Sequence, residues 1–253
     1  MTRNVLVTGG AKRLGAAIVR ACAGADWRVV VHYGSSSAAA CALAEELDGA
    51  VVPGDLAETA RLTDLFERAR AVAGGPIHAL INSASQFEED RPEAIDPRLA
   101  SRLYAVNCVA PAVLTAALAA QPDLEAGAVV NLLDQKLQNP NPDFFSYSLS
   151  KYALSGATDM MAMAFAPRIR VNAIAPGLTL PSGDQSADEF DRVARENLLR
   201  RPVGADQVAA AVVYLLDATS VTGQTLYVDS GQRFLKRKGD VMFEGRERIA
   251  PGG

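Results

Sequence analysis

The feature that most constrains the fold of this chain is a regular alternation of short apolar runs with longer stretches rich in alanine and leucine. The short runs are β-branched and several are almost continuously apolar, as strands buried on both faces of a parallel sheet must be. Seven strands are predicted, at 5–7, 28–32, 50–52, 79–82, 128–132, 170–174 and 225–228. Helices are predicted between them, at 14–23, 38–47, 58–73, 97–120, 147–164 and 205–216.

This alternation indicates repeated strand–helix–strand units. It predicts an α/β fold: a single doubly wound Rossmann domain, with a seven-stranded, mostly parallel sheet and helices on both faces. The 253 residues suit one such domain. No repeat or linker divides the chain, so we expect residues 1–231 to form the domain and residues 232–253 its C-terminal tail.

Two segments lack a regular pattern. Residues 179–187 are polar and interrupted by glycine and proline, which favours a mobile loop. The tail carries Lys236-Arg237-Lys238 and ends in Pro-Gly-Gly. It is expected to be a solvated arm or a cover over a neighbouring subunit, and the solvated arm is favoured.

Composition argues against several classes of function. The net charge of −4 gives no electrostatic reason to expect nucleic acid or a membrane as partner. No apolar run is expected to reach membrane-spanning length. Three scattered cysteines and two histidines lack the spacing of metal ligands, so buried thiols and no metal site are expected. The N-terminus runs directly into a strand, which favours a cytoplasmic location.

A glycine-rich turn follows the first predicted strand and opens the first predicted helix. It reads Thr8-Gly9-Gly10-Ala11-Lys12-Arg13-Leu14-Gly15. Glycine permits close approach of the backbone to a phosphate, and the free N–H groups of a helix N-terminus attract an anion. An ordinary turn is the alternative. The candidate cofactor-binding residues here are Thr8, Gly9, Lys12, Arg13, Leu14 and Gly15.

Arg13 stands where a third glycine is often found in such turns. An arginine there places a guanidinium within reach of a pyrophosphate or of a polar substrate.

The residues after the second strand indicate which dinucleotide is bound. Enzymes that use NAD usually carry Asp or Glu there, which accepts from the ribose hydroxyls. This chain has His32-Tyr33-Gly34-Ser35-Ser36-Ser37, without a carboxylate. Hydroxyl groups and a nearby Lys12 suit a 2′-phosphate, so the predicted cofactor is NADP(H). His32, Ser35 and Ser36 are candidate contacts, and Asp55 and Leu56 after the third strand are expected near the adenine.

Three residues form the predicted acid/base group. Tyr147 and Lys151 are four residues apart on a predicted helix and share one face. An ammonium near a phenol stabilises the phenolate and lowers its pKa, so the tyrosine can exchange a proton near neutral pH. Asp134 follows the preceding predicted strand. Its side chain either joins this pair or caps the turn that follows it.

These residues, taken in order, resemble the short-chain dehydrogenase/reductase family over almost the whole chain, to about Gly231. The motifs are Thr8-Gly9 with Gly15, Asn82-Ser83-Ala84-Ser85, Asn107, Tyr147/Lys151 and Pro176-Gly177. The resemblance implies that Tyr147 moves the substrate proton, Lys151 binds the nicotinamide ribose and Asn107 supports a water relay. It also implies cofactor contacts by Asn82, Ser83, Ala84, Pro176, Gly177 and Thr179. Asn82-Ser83-Ala84 departs from the usual Asn-Asn-Ala.

A departure at Asp134 narrows the resemblance, because most of the family carries serine thirteen positions before the tyrosine. Together with Arg13, His32-Tyr33 and the run from Asn82 to Phe87, the aspartate resembles the pteridine reductase and dihydromonapterin reductase branch. In that branch the aspartate helps the tyrosine to protonate a ring nitrogen. The resemblance implies substrate contacts by Arg13, Ser85, Phe87, Asp134 and Tyr147. For Phe87 the alternative is an ordinary core aromatic.

The predicted function is NADPH-dependent hydride transfer to a C=N bond of a pterin or dihydropterin, a small-molecule substrate. The first alternative is a carbonyl reductase acting on a ketone or 3-oxoacyl thioester. Asp134 argues against this alternative, because most of the family carries serine at that position. The second is a non-catalytic NADP(H)-sensing protein, which has no need of Tyr147, Lys151 and Asn107 together. The resemblance also implies a homotetramer or homodimer.

Overall fold

The computed structural model describes residues 3–181, 186–240 and Phe243. Seven strands form one sheet within these residues. They are β1 (Arg3–Thr8), β2 (Trp27–Tyr33), β3 (Ala50–Pro53), β4 (Ile77–Asn82), β5 (Gly127–Leu132), β6 (Ile169–Pro176) and β7 (Thr225–Val228). All seven predicted strands are confirmed, and most extend slightly beyond their predicted ends because their flanking residues also join the sheet.

The strand order is β3-β2-β1-β4-β5-β6-β7, and every neighbouring pair is parallel. The predicted fold class is therefore confirmed, with a sheet that is wholly rather than mostly parallel. The order reverses between β1 and β4, because the chain first winds outward to β3 and then returns to the other side of β1. Ligands of such sheets bind at the carboxyl ends of the strands beside this reversal.

Eight α-helices connect the described strands. They are α1 (Arg13–Gly24), α2 (Ser37–Glu46), α3 (Leu62–Ala73), α4 (Pro97–Tyr104), α5 (Ala110–Ala120), α6 (Phe145–Phe165), α7 (Ala187–Ala194) and α8 (Ala205–Asp217). The predicted helix 97–120 is interrupted by a π-helical segment, Ala105–Val109, between α4 and α5. The predicted start of α3 at 58 is too early, because Thr59–Arg61 forms a separate 3₁₀ turn.

Two hydrophobic layers hold the helices against the sheet. Side chains alternate along each strand, so Val5 and Val7 of β1 pack with α1 and α8 while Leu6 packs with α3 and α5 on the other face. These residues are fully buried. The expected helices on both faces are confirmed, and the packing leaves the carboxyl edge of the sheet open for a site.

The segment Pro97–Ala120 is long and apolar enough to cross a membrane by length and composition. This contradicts the expectation that no run reaches that length. In the fold, 56% of its most apolar window is buried inside the protein. Its apolar residues are therefore used in the packing of the core.

The described part of the tail packs on its own domain, so the prediction of a solvated arm is wrong there. Asn139 donates from Nδ2 to the Leu235 carbonyl at 2.8 Å, and Phe243 stacks on Phe144 with ring centroids 5.8 Å apart. The tail thus exchanges contacts with water for a hydrogen bond and an aromatic contact with the domain. Residues 241, 242 and 244–253 lie outside the described residues, as do residues 182–185 of the predicted mobile loop. The end of that predicted loop begins α7 instead.

All three cysteines are free thiols. Cys22 and Cys108 are buried as expected, but Cys41 is exposed on α2. Among the described residues, no group of three or more His, Cys, Asp or Glu side chains could hold a metal ion.

Candidate active site

Two adjoining cavities lie at the carboxyl edge of the sheet. The tyrosine cavity has a volume of about 510 Å³ and is lined by Tyr147, Lys151 and Asp134, among others. The glycine-turn cavity, of about 480 Å³, lies over the turn between β1 and α1. Residues common to both linings are Arg13, Leu14, Ser83 and Ser85. One elongated ligand could therefore extend through both cavities.

Asp134 and Tyr147 form the central contact of the tyrosine cavity. The Tyr147 hydroxyl donates to Asp134 Oδ2 at 2.7 Å. The other carboxylate oxygen, Oδ1, accepts from the backbone N–H of Lys136 at 2.8 Å and begins the 3₁₀ turn Gln135–Leu137. Both interpretations of Asp134 are thus correct. The turn fixes the carboxylate, and the fixed carboxylate orients the phenol.

The electrostatics of this pair differ from the sequence prediction. Burial raises the pKa of Tyr147 well above its ordinary value, and the neighbouring Asp134 carboxylate raises it further. Burial likewise raises the pKa of Asp134. The expected lowering of the phenol pKa by Lys151 is therefore wrong for this state of the protein. A raised pKa keeps Tyr147 protonated, which is the state required of a proton donor.

Lys151 lies on the same face of α6 as Tyr147, as predicted. Its Nζ is 5.7 Å from the centre of the Tyr147 ring and donates to the Leu132 carbonyl at 2.7 Å. Burial lowers the pKa of Lys151 to about 8. The ammonium is held by the end of β5, so the strand and the helix together set its distance from the phenol.

The N-terminus of α6, which carries Tyr147, is held by a residue that the sequence did not reveal. Asp90 Oδ1 accepts from the Ser146 N–H at 2.8 Å, and Asp90 Oδ2 accepts from the Ser146 hydroxyl at 2.5 Å. A carboxylate satisfies free donors at a helix start and interacts favourably with the helix dipole. Asp90 does this from another part of the chain, so no local capping pattern announced it.

Phe87 lies at the wall of the tyrosine cavity and is 40% exposed. The alternative that it is a core aromatic is therefore wrong. Its ring meets Tyr147 edge-on at 4.7 Å between centroids and stacks on Phe144 at 4.0 Å. Phe144 is buried, so it backs Phe87 and leaves one aromatic face available to a ligand.

Asn107 lies in the π-helical segment between α4 and α5 and is buried. Its side chain accepts from the Gln86 N–H at 2.8 Å and donates to the Gln86 carbonyl at 2.9 Å. It also donates to Ser150 Oγ at 3.0 Å and accepts from Ser85 Oγ at 3.3 Å. Asn107 thus ties the loop after β4 to α6, and its predicted part in a water relay stays a prediction.

The glycine-rich turn adopts the conformation that its sequence predicted. Gly9 has φ +62°, and a Cβ there would lie 2.8 Å from the Cα of Ala84. Arg13 also has a left-handed φ of 54°, consistent with a position where glycine is common. Its guanidinium donates to the Pro181 carbonyl at 2.5 Å and lines both cavities. Gly15 admits no Cβ because of the Gly9 carbonyl.

Two predicted cofactor contacts form side-chain hydrogen bonds within the protein. Thr8 Oγ1 donates to the Ile81 carbonyl at 3.3 Å and accepts from the Ala84 N–H at 3.1 Å, which joins the ends of β1 and β4. Asn82 donates to Asn131 at 2.8 Å and is absent from the described linings of both cavities. These hydrogen bonds tie together the strand ends that form the crevice, and Asn82 Oδ1 is left without a hydrogen-bond partner among the described residues.

His32 lines the glycine-turn cavity, but both of its ring nitrogens are engaged. Nδ1 accepts from the Gly9 N–H and Nε2 pairs with the Gly54 carbonyl, each at 3.1 Å. Burial lowers the pKa of His32 to about 4, so the ring is neutral at physiological pH. His32 thus links the glycine-rich turn to the end of β3.

The remaining predicted contacts surround the two cavities. Lys12 and Ser35 are exposed at the glycine-turn cavity, beside Ser36 and the buried Leu56. Asp55 accepts from the Ala57 N–H at 2.9 Å in the same lining. Other candidates line the glycine-turn cavity (Ala84), the tyrosine cavity (Pro176, Gly177, Thr179) or both (Ser83, Ser85).

Comparison with known proteins identifies the family. A family model described as enoyl-(acyl carrier protein) reductase matches residues 9–233. The chain belongs to the short-chain dehydrogenase/reductase family. An uncharacterized oxidoreductase of Methylorubrum extorquens is 31% identical, over 90% of this chain and 96% of the relative.

Two relatives and one solved structure carry more specific names. Pteridine reductase 1 of Leishmania tarentolae is 30% identical over 89% of this chain and 94% of its own. Dihydromonapterin reductase of an Enterobacter species is 25% identical over 91% of this chain and 96% of its own. The structure of FolM alternative dihydrofolate reductase 1 from Brucella canis, complexed with NADP, is 39% identical with a TM-score of 0.89. It matches 94% of this chain and 96% of its own.

Proposed function

We propose that this protein is an NADPH-dependent reductase that acts on a C=N bond of a pterin or dihydropterin. The observation that carries the proposal is the 2.7 Å hydrogen bond between the Tyr147 hydroxyl and the partly buried carboxylate of Asp134. The pteridine and dihydromonapterin reductases among the relatives, and the similar structure that holds NADP, support the same substrate and cofactor.

The residues around the glycine-turn cavity fit NADP(H). The N-terminus of α1 faces this cavity and attracts a phosphate, and Lys12 and Arg13 add positive charge beside it. Ser35 and Ser36 supply hydroxyls where a carboxylate would repel a 2′-phosphate. When bound, NADPH supplies the hydride that reduces the carbon of the C=N bond.

Tyr147 donates the proton that the nitrogen of that bond requires. Its raised pKa keeps the phenol protonated until a basic nitrogen approaches. The phenolate left behind is stabilised by the Lys151 ammonium on the same helix face. Burial raises the pKa of Asp134, and its side chain is only partly shielded from solvent, so the carboxylate can take up a proton from water and pass it to the Tyr147 phenolate. The proton lost to the substrate is thus replaced.

Phe87 orients the substrate. Its ring is held by Phe144 and borders the same cavity as Tyr147. A flat fused ring stacks well on such a face, whereas a flexible acyl chain gains little from it. The aromatic face therefore favours a pterin over the carbonyl substrates of the alternative reading.

A spectrophotometric panel of NADPH oxidation tests the function. The panel compares dihydropterins with a simple ketone and a 3-oxoacyl thioester, using the full chain. Turnover of the dihydropterin is expected, and turnover of only the ketone and thioester would reject the proposal. Tyr147→Phe removes the proton donor and should abolish turnover while NADPH binding stays nearly unchanged. Binding without any turnover in the wild type would favour a sensing protein.

We also propose that the protein is a homotetramer or homodimer. One face of α6 exposes apolar residues at helical spacing, Leu149, Tyr152, Met160 and Met163, and Met163 is 81% exposed. A second copy of the chain would remove this face from water. Met163→Glu should lower the molar mass measured by light scattering, and an unchanged mass would argue against this interface. The cytoplasmic location stays a prediction.

A further inference from the structure

Lys136 is a buried lysine in the active-site wall that the proposed chemistry does not use. It follows Asp134 on the 3₁₀ turn, and it is 5% exposed. Its Nζ donates to the Asp143 carbonyl and to Asp240 Oδ2, both at 3.0 Å. Burying an ammonium is costly unless it is paired and hydrogen-bonded. These contacts satisfy it and bring a distant part of the chain to the cavity.

Asp240 belongs to the described end of the tail, residues 232–240, which we call the C-terminal segment. Besides its ion pair with Lys136, Asp240 donates from its backbone N–H to Asp143 Oδ2 at 2.7 Å. Asp143 is fully buried and is 2.9 Å from Arg91 at its other oxygen. The segment is also bonded through the Leu235 carbonyl to Asn139. Several partly buried polar contacts therefore fasten it to the domain.

The fastened segment borders the tyrosine cavity. Gln232, Arg237, Gly239 and Asp240 line the same cavity as Tyr147 and Phe87. The Lys136 ammonium lies 5.2 Å from the centre of the Phe144 ring, which backs Phe87. The ion pair thus holds both a wall of the cavity and the support of its aromatic face.

We propose that Lys136 and Asp240 are positioning residues that set substrate specificity. They hold the C-terminal segment across the substrate end of the cavity, so that the site accepts a compact fused ring and disfavours a substrate with a long side chain. The cavity of about 510 Å³ includes Tyr147 and Lys151, so the nicotinamide and the substrate must share it. This inference rests on the proposed function.

The test compares the reduction of dihydromonapterin, which has a short side chain, with that of dihydrofolate, which has a long one. The wild type should have the higher kcat/KM for dihydromonapterin. In Asp240→Ala the preference should shift toward dihydrofolate by about fivefold or more, mainly through KM. The KM for NADPH should change by less than about twofold. Asp240→Glu keeps the charge and should restore most of the wild-type preference.

Asp217→Asn is the matched control. Asp217 lies at the end of α8 and forms an exposed ion pair with Arg3 at 3.0 Å. It is not among the described lining residues of the tyrosine cavity or of the glycine-turn cavity. Loss of this ion pair should leave the substrate preference unchanged. A shift of the same size in this control would show that the preference responds to any lost ion pair, and would overturn the inference.

The remaining outcomes separate the inference from the proposed function. An unchanged preference in folded Asp240→Ala overturns the inference. Should that variant fail to fold, Asp240→Asn carries the same test, because asparagine keeps the size of the side chain and removes only the charge. If the wild type reduces neither pterin, the proposed function itself fails. If the wild type reduces dihydromonapterin but neither variant alters the preference, only the role of Lys136 and Asp240 is rejected.

Discussion

At the scale of single residues, the active site combines groups whose ordinary chemistry is altered by burial. Burial of Tyr147 and the neighbouring Asp134 carboxylate, which accepts its hydrogen bond, raise the pKa of the phenol, so it holds its proton more firmly than in water. The pKa of Lys151 shifts in the opposite direction and is lowered, because burial destabilises the charged form of this side chain. These two pKa shifts keep the proton on the phenol and make the lysine easier to deprotonate than in water.

His32 allows a prediction on the pH dependence of stability. Its pKa is about 4 in the folded protein and about 6.5 when exposed. As the pH falls below about 6.5, the unfolded chain takes up a proton that the folded protein refuses, so the free energy of unfolding decreases. The loss should reach about 3 kcal/mol at pH 4. Urea unfolding at a series of pH values measures it.

His32→Gln should remove most of this dependence on pH. The matched control is His78→Gln, since His78 also accepts a backbone N–H, that of Asn4 at 3.1 Å, but is only half-buried. The control should retain most of the slope. Equal slopes in the wild type and His32→Gln would show that His32 is not kept neutral by the fold.

The sequence predicted the acid/base residues but not their surroundings. Tyr147, Lys151 and Asp134 lie within one strand–helix unit, so their spacing along the chain already brings them together. Lys136 and Asp240 are 104 positions apart, and Asp90 and Ser146 are 56 apart. Pairs of this kind depend on how the whole sheet winds. The phenol pKa was mispredicted for the same reason, since the sequence does not show how deeply Tyr147 is buried.

At the scale of elements, the position of α6 decides where the phenol lies. Asp90 holds the start of this helix from the loop after β4, and the same loop carries Phe87. Asp90→Ala removes the acceptor for two Ser146 donors. It should lower the free energy of unfolding by about 1–2 kcal/mol. It should also reduce kcat, because the tyrosine and the aromatic face lose their common support.

Asp96→Ala is the matched control for that variant. Asp96 caps α4 by accepting from the Arg98 N–H at 2.8 Å. Its loss should cost a similar free energy of unfolding, measured in urea, with turnover nearly unchanged. If both variants lose turnover equally, the contribution of Asp90 is general stability and not the placement of α6.

The elements themselves were largely predictable. The strands are short, almost wholly apolar runs, and the parallel sheet buries them on both faces, so pattern and burial agree. Helix α7 was not predicted because its sequence is mostly polar. Only two large apolar residues, Phe190 and Val193, lie at helical spacing, which is too few to indicate a helix. The break in 97–120 was missed because a π-helical segment has no distinct sequence pattern. It surrounds Asn107, and such segments often occur at functional sites.

At the scale of the whole molecule, cofactor binding should be linked to stability. A ligand that binds only the folded protein raises the free energy of unfolding, by about 2.7 kcal/mol at a hundred times its Kd. NADP⁺ should therefore raise the melting temperature at lower concentrations than NAD⁺, because the end of β2 offers hydroxyls and no carboxylate. Thermal unfolding with each dinucleotide measures the difference. Equal shifts at equal concentrations would contradict the predicted preference for NADP(H).

The winding of the chain also explains why the packing of the tail on the domain could not be predicted from the sequence. Its basic run suggested solvation, yet Arg237 bonds to Glu196 at 2.8 Å and Asp240 reaches Lys136. Each partner belongs to a different part of the domain. The sheet order brings those parts to one edge, so the tail completes a site that the first 231 residues begin.

We propose that Asp134 makes Tyr147 a proton donor to nitrogen, and the decisive measurement is the kcat/KM of Asp134→Ser for a dihydropterin. Serine can still cap the turn through Lys136, so the variant removes the carboxylate with little change of backbone. We expect kcat/KM to fall by about 100-fold or more, with NADPH affinity nearly unchanged. Dihydropterin reduction at the wild-type rate in Asp134→Ser would contradict it.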